Sequence, residues 1–105
     1  MSHKVRLALE AENQIRAISD YIAQDSPENA HRWGLALRER LRSLRDFPER
    51  HEVAYLAGDV GCDVRHTFFG VYRVLYAIEG DLVVVLTVRH GAQRPLTPDE
   101  VRRLG

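Results

Sequence analysis

Cysteine, lysine, net charge and long apolar runs are all scarce in this chain. The one cysteine, Cys62, leaves no partner for an intramolecular disulfide and no thiolate cluster for a metal. A reducing cytoplasm suits such a chain. No apolar stretch nears the roughly 18 residues needed to cross a bilayer. Met1-Ser2-His3-Lys4 leads straight into patterned sequence, without the apolar core of a signal peptide. There is no glycine-rich phosphate loop, no internal repeat and no Gly/Ser linker. The histidines, at 3, 31, 51, 66 and 90, include no pair at tight metal-ligand spacing. Neither metal nor cofactor is therefore expected. Fifteen basic residues balance fifteen acidic ones. That balance argues against a general nucleic-acid coat and leaves room for a local cationic patch.

What is present fits a single domain over residues 1–105. The chain is 45% hydrophobic and 29% charged, as in ordinary globular proteins, and it is long enough for one core. Lys4 is the only lysine, so fourteen of the fifteen basic residues are arginines. High-GC codon usage is one reading of such an excess. Chemically, it supplies planar forks suited to carboxylates and phosphates.

The first half reads as helix and the second as strand. A short strand is expected around Lys4–Leu9. Ala11, Ile15, Ile18 and Ile22 recur at helical spacing over about residues 10–24. Asp25-Ser26-Pro27-Glu28 then stops one helix and starts another. Ser26 suits the cap, Pro27 the first turn, and Glu28 the positive end of the dipole. Ala30, Trp33, Leu37, Leu41 and Leu44 carry a buried stripe to about Asp46, where Phe47-Pro48 ends the helix. Strands follow at Glu52–Leu56 and Cys62–Phe68 around a Gly58–Gly61 turn, and at Val71–Ile78. Leu82–Val88, rich in β-branched residues, reads as the central and most buried strand. Pro95, Thr97 and Pro98 open a tail helix over Asp99–Leu104. The expectation is an α+β fold, with an antiparallel helical hairpin on one face of a small, mostly antiparallel sheet. The other face should stay open for function.

Arg73 interrupts the apolar strand Val71–Ile78. An arginine there must pair or face a groove. A salt bridge to Asp63 or Glu79 would be structural; an anion on the open face would be functional. Its neighbours depend on the hairpin. A Glu79-Gly80-Asp81 turn puts Arg73 opposite Thr87, on the side of Arg89. A Gly80-Asp81 turn puts it on the face of His90, and a one-residue slip exchanges the two. Arg89-His90-Gly91 closes the last strand and Arg94 follows. His90 titrates near neutral pH and can serve as acid or base, or can be an ordinary strand-end histidine. Arg65, Arg73, Arg89, His90 and Arg94, with His66, would form a cationic groove. Cys62 reads as a small buried residue. Arg38, Arg42 and Arg45 fall at helical spacing, as a solvated face or as a dock for an acidic partner.

The full chain resembles the ParE/RelE superfamily of toxins from bacterial type II toxin–antitoxin modules. The segments that carry the resemblance are DYIAQDSPENA (20–30), LRSLRDFPER (41–50), VRHTFFGVYRVLYAIEGDLVVVLTVRHG (64–91) and Arg94. The resemblance implies the same strand, helical hairpin and sheet, and a cognate antitoxin as partner. RelE-like members cut mRNA on the ribosome without metal, through basic residues and often a late Tyr or His. ParE-like members poison DNA gyrase. Arg73 falls where the family's sheet arginine lies. The RelE-type lysines and the late Tyr are absent, and SPENA and FPER look like the ParE branch. The ParE-like reading is therefore preferred, with the ribosome-dependent endonuclease and an inactive relic or binding module as alternatives. On the endonuclease reading, Arg73 and Arg89 would stabilise charge and His90 would move a proton. Arg38, Arg42 and Arg45 would meet antitoxin carboxylates.

Overall fold

The computed structural model, which describes residues 2–104, begins with strand β1 (Lys4–Leu7) and helices α1 (Leu9–Asp25) and α2 (Pro27–Arg42). Strand β2 (Glu52–Tyr55), short helix α3 (Ala57–Val60), and strands β3 (Asp63–Phe69), β4 (Tyr72–Glu79) and β5 (Leu82–His90) follow. Helix α4 (Pro98–Arg102) closes the fold. Ser26 alone separates α1 from α2. Its side chain accepts a hydrogen bond from the Asn29 amide at 3.1 Å, and Pro27 takes the first helical position. The α-helical part of α2 is shorter than expected. Ser43 donates its hydroxyl to the Arg40 carbonyl at 2.6 Å, and Ser43–Arg45 tighten into a 3-10 turn. Such local side-chain bonds compete with the helical ladder. Phe47 then adopts left-handed backbone (φ 48°) and Pro48–Arg50 form a second 3-10 turn.

The five strands form one sheet in the order β1-β5-β4-β3-β2, with β1 parallel to β5 and the other pairs antiparallel. The middle position belongs to β4, not to β5 as the composition of Leu82–Val88 had implied. Strand β5 is still interior, and Val83 through Val88 are all buried. Both central hairpins turn on a glycine at the first of two linking positions, Gly70 (φ 59°) and Gly80 (φ 61°). L-residues rarely adopt such angles.

The β4–β5 hairpin is built on the Gly80-Asp81 turn, with Glu79 opposite Leu82. That turn alone would have given Arg73 and His90 a common face. A bulge changes the outcome. Tyr76 pairs with Val85 and Leu75 with Thr87, so Leu86 is an extra residue and the register slips by one. Arg73 ends opposite Arg89, and His90 opposite Tyr72.

Two apolar layers enclose the sheet. On one face Val74, Tyr76, Val83, Val85 and Val88 pack with Ala11, Leu37, Leu41 and Leu44 from the helical hairpin. The second face is not open along its whole length, contrary to expectation. Val64, Leu75, Ala77, Val84 and Leu86 cluster there with Val60 of α3 and Val101 of α4. A capping box holds α4 in place. Thr97 Oγ1 accepts from the Glu100 amide at 3.2 Å, and Glu100 Oε1 accepts from the Thr97 amide at 2.9 Å. Tyr55 Oη donates to the Leu96 carbonyl at 2.6 Å and ties the tail to the sheet.

Candidate functional site

The second face is polar at the end of the sheet that carries His90. There the ladder sets three residues in one row, Phe68 opposite Arg73 and Arg73 opposite Arg89. The Arg73 guanidinium carbon lies 5.4 Å from the Phe68 ring centroid. Arg73 Nε is buried and has no hydrogen-bond partner among the described residues. Neither arginine pairs with a carboxylate among the described residues. Asp63, one of the two acids that could have neutralised Arg73, pairs instead with Arg65 at 3.1 Å. Glu79 lies six residues along β4, roughly 20 Å away at strand spacing. Two arginines are therefore direct cross-strand neighbours, an arrangement that costs stability unless an anion joins them. The cleft beside them, bordered by Tyr55, Thr87 and Leu96, has a volume of about 10 Å³, enough for about one water.

The other expected members of the groove lie elsewhere. Arg65 pairs with Tyr76 and so projects toward the helix-covered face. Its Nε donates to Asp63, and its Nη1 donates to the carbonyls of Glu49 and His51, both at 2.8 Å. It braces the 49–51 segment. His90 shares the helix face with Tyr72, ring centroids 5.9 Å apart, and its Nδ1 accepts from the Ala92 amide at 3.0 Å. One residue of offset along a strand changes face, so both side chains leave the row of Arg73, although His90 still borders the cleft. Arg94 borders the cleft, but its charge is used. It donates two hydrogen bonds to Glu100, at 2.8 and 3.1 Å. Those bonds and the Thr97 amide hold the Glu100 carboxyl down to about 2 and push Arg94 up. His66 does share the face of Arg73. It sits 3.7 Å from a Glu52 oxygen and beside Phe68, ring centroids 5.7 Å apart. Among the described residues no three His, Cys, Asp or Glu side chains gather as metal ligands.

Arg38, Arg42 and Arg45 do not form one continuous stripe, because the 3-10 turn breaks the helical spacing after Arg42. Arg42 pairs with Glu39 at 3.2 Å and Arg45 with Asp46 at 3.8 Å. Arg38 has no such partner among the described residues and lines a groove of about 440 Å³ between α1 and α2, with Ile15, Trp33 and Leu37 on its walls.

Two contributors escape a reading of the sequence. Phe68 was only one more apolar strand residue; its role as a platform needs the pairing with Arg73. Gln14 was a polar position on an amphipathic helix. Its Oε1 accepts from Thr87 Oγ1 and from the Val88 amide, both at 2.7 Å. It finishes the edge of β5 where β1 has ended.

The family model described as ParE toxin of type II toxin-antitoxin system, parDE, matches residues 5–95. The chain belongs to the ParE toxin family. It is therefore a ParE-family type II toxin. No curated protein sequence matches. A solved structure titled "Chromosomal ParDE TA system from P. aeruginosa" is similar to this ParE-family fold, with a TM-score of 0.70 at 16% identity, covering 85% of this chain and 96% of the other. At that identity the likeness speaks for the fold. Among the described residues of this ParE-family chain, no helix is long and apolar enough to cross a membrane.

Proposed function

We propose that this toxin, a single domain over residues 1–105, arrests growth in the cytoplasm by acting on DNA gyrase. A cognate antitoxin neutralises it in a hetero-oligomer. The observation that carries this reading is the ParE family match over residues 5–95. The arrangement of the site supports a non-enzymatic action. In-line RNA cleavage needs a base, an acid and a stabiliser of charge on one face. Here His90 borders the cleft but its ring packs against Tyr72 and its Nδ1 is taken by the Ala92 amide, and Arg65 is fully engaged. Arg73 and Arg89 are the pair proposed to meet the target, with Arg94 holding the adjoining loop to Glu100. Arg38 and its neighbours Arg42 and Arg45 are the proposed antitoxin dock. The groove beside Arg38 offers apolar walls next to an unpaired charge.

A second reading is the ribosome-dependent mRNA endonuclease. One observation favours it: His66 shares the face of Arg73 and could take the part first given to His90.

A growth test, followed by two assays run side by side, tests the choice. Induced expression should stop growth, and co-expression of the neighbouring antitoxin gene should restore it. Purified toxin should then inhibit gyrase supercoiling and leave ribosome-bound mRNA intact. Codon-specific cuts with unaffected gyrase would overturn the proposal in favour of the endonuclease.

A further inference from the structure

The Arg73–Arg89 pair raises a question that the toxin assignment does not answer, namely which anion it takes. We infer that the pair is a seat for one carboxylate, presented by an acidic segment of the protein on which the toxin acts. The inference rests on the toxin reading only for the identity of that protein.

Four features of the site carry it. The ladder makes Arg73 and Arg89 direct cross-strand neighbours, and neither has a carboxylate of its own among the described residues; the Arg89 guanidinium donates to the Arg94 carbonyl at 3.3 Å. Arg73 Nε is buried without a partner among the described residues, so a hydrogen bond is missing that an oxyanion would restore. The Phe68 ring holds the Arg73 guanidinium from one side and limits how far it can swing to follow a mobile ligand. The cleft of about 10 Å³ admits one water-sized oxygen, such as one oxygen of a carboxylate, and not a base.

Phosphate and carboxylate share this oxyanion chemistry, and the surroundings decide between them. A nucleic-acid backbone binds through several cations in succession, each neutralising a phosphate. Here Arg94, at the cleft, is already used by Glu100, Arg65 lies on the opposite face, and Arg103 alone stands beside Arg89 in the adjoining cavity to extend a track. Acidic groups flank the pair instead. Glu52 lies beside His66, and the adjoining cavity holds Glu10, the Arg94-paired Glu100 and Arg103 beside Arg89. Glu52 on one side and Glu10 on the other would oppose a polyanion, with Arg103 alone to offset them. One isolated carboxylate meets two guanidiniums and avoids that repulsion.

The test uses the full chain and two fluorescent probes, a short peptide of alternating Glu and Ser and a short single-stranded RNA. Binding is measured by anisotropy at low salt. The wild-type chain should bind the peptide and not its Gln-for-Glu counterpart. Arg73→Gln and Arg89→Gln should each weaken peptide binding about tenfold or more, since a charge-assisted bond is lost. Arg32→Gln, on the exposed side of α2, should not change it. Two substitutions on different strands guard against one variant that fails to fold, and thermal unfolding checks both. RNA bound more tightly than the peptide, with loss of that binding on removal of either arginine, would mean that the seat takes phosphate. Peptide binding unchanged in both variants, or absent in the wild-type chain, would also overturn the inference. Growth arrest by the same wild-type chain separates the two claims. Arrest without peptide binding removes the seat and leaves the toxin reading, and binding without arrest does the reverse.

Discussion

Replacing Arg73 by alanine separates a structural arginine from a functional one, because the two differ in magnitude. Three effects contribute to stability in this structure. Removing the charge relieves its repulsion with Arg89, a gain of about 0.2–1 kcal/mol for like charges directly opposite in a sheet. It removes the contact with Phe68, worth about 0.5–1 kcal/mol at a partly exposed site. It also removes a half-buried aliphatic stem, worth about 1 kcal/mol. The first effect offsets much of the other two, so the net loss should be about 1 kcal/mol. For a domain of this size that corresponds to a Tm drop of roughly 4–8 °C. An arginine holding a buried salt bridge would cost about 3–5 kcal/mol, because its acid would be stranded, and the drop would then be several times larger. Thermal and denaturant unfolding of the purified variant measure the difference. Added salt gives a second check. It should stabilise the wild-type chain more than the variant, since only the wild type has two cross-strand arginines to screen. In cells the variant should accumulate, still bind antitoxin and lose most of its toxicity. A loss above 3 kcal/mol would refute the reasoning, and so would a stable variant that keeps full toxicity.

Two more outcomes concern the frame around the site. Tyr76 is fully buried, its hydroxyl donates to the Pro48 carbonyl at 2.6 Å, and burial pushes its pKa up to about 12. Tyr76→Phe leaves that carbonyl short of a donor, so denaturant unfolding should show a loss of about 1–3 kcal/mol. Glu100 titrates at about 2 in the folded chain, below its ordinary 4.5. Its contribution is therefore present above pH 4.5 and fades as pH falls toward 2. Glu100→Gln should lower Tm at pH 7 and flatten the fall of Tm between pH 4.5 and 2, and an unchanged acid profile would remove the Arg94–Glu100 clip from the stability of the tail.

The elements of the fold are legible from local chemistry because their causes are local. Ser26 and Pro27 lie side by side and mark the helical turn without reference to anything distant. Ile15, Ile18, Leu37 and Leu41 repeat at the period of the helix whose face they bury. Gly80 marks its hairpin because the turn needs a positive φ. The cover on the second face is harder to foresee. It depends on Leu96, Val101 and Val60 converging from separate parts of the chain, and none of the three stands out alone.

The candidate site is legible to just the extent that it is local. Arg73 stands out because a charge interrupts an apolar strand, and no partner need be known to notice it. Its neighbours are a matter of parity. Arg89 and His90 are adjacent, so one residue of register decides which of them shares its face. The turn at Gly80 and Asp81 favours His90, and the bulge at Leu86 reverses the result. The position of that bulge has a structural context. Strand β1 accompanies β5 only as far as Val85, where Leu7 is its last partner. The next residue is the extra one. Beyond it Gln14, reaching from α1, takes the Val88 amide and the Thr87 hydroxyl. The register therefore changes where β5 exchanges a strand neighbour for a side chain that is distant in sequence. The pairing of Arg73 with Arg89 follows from that exchange, which the residues of the hairpin do not encode by themselves.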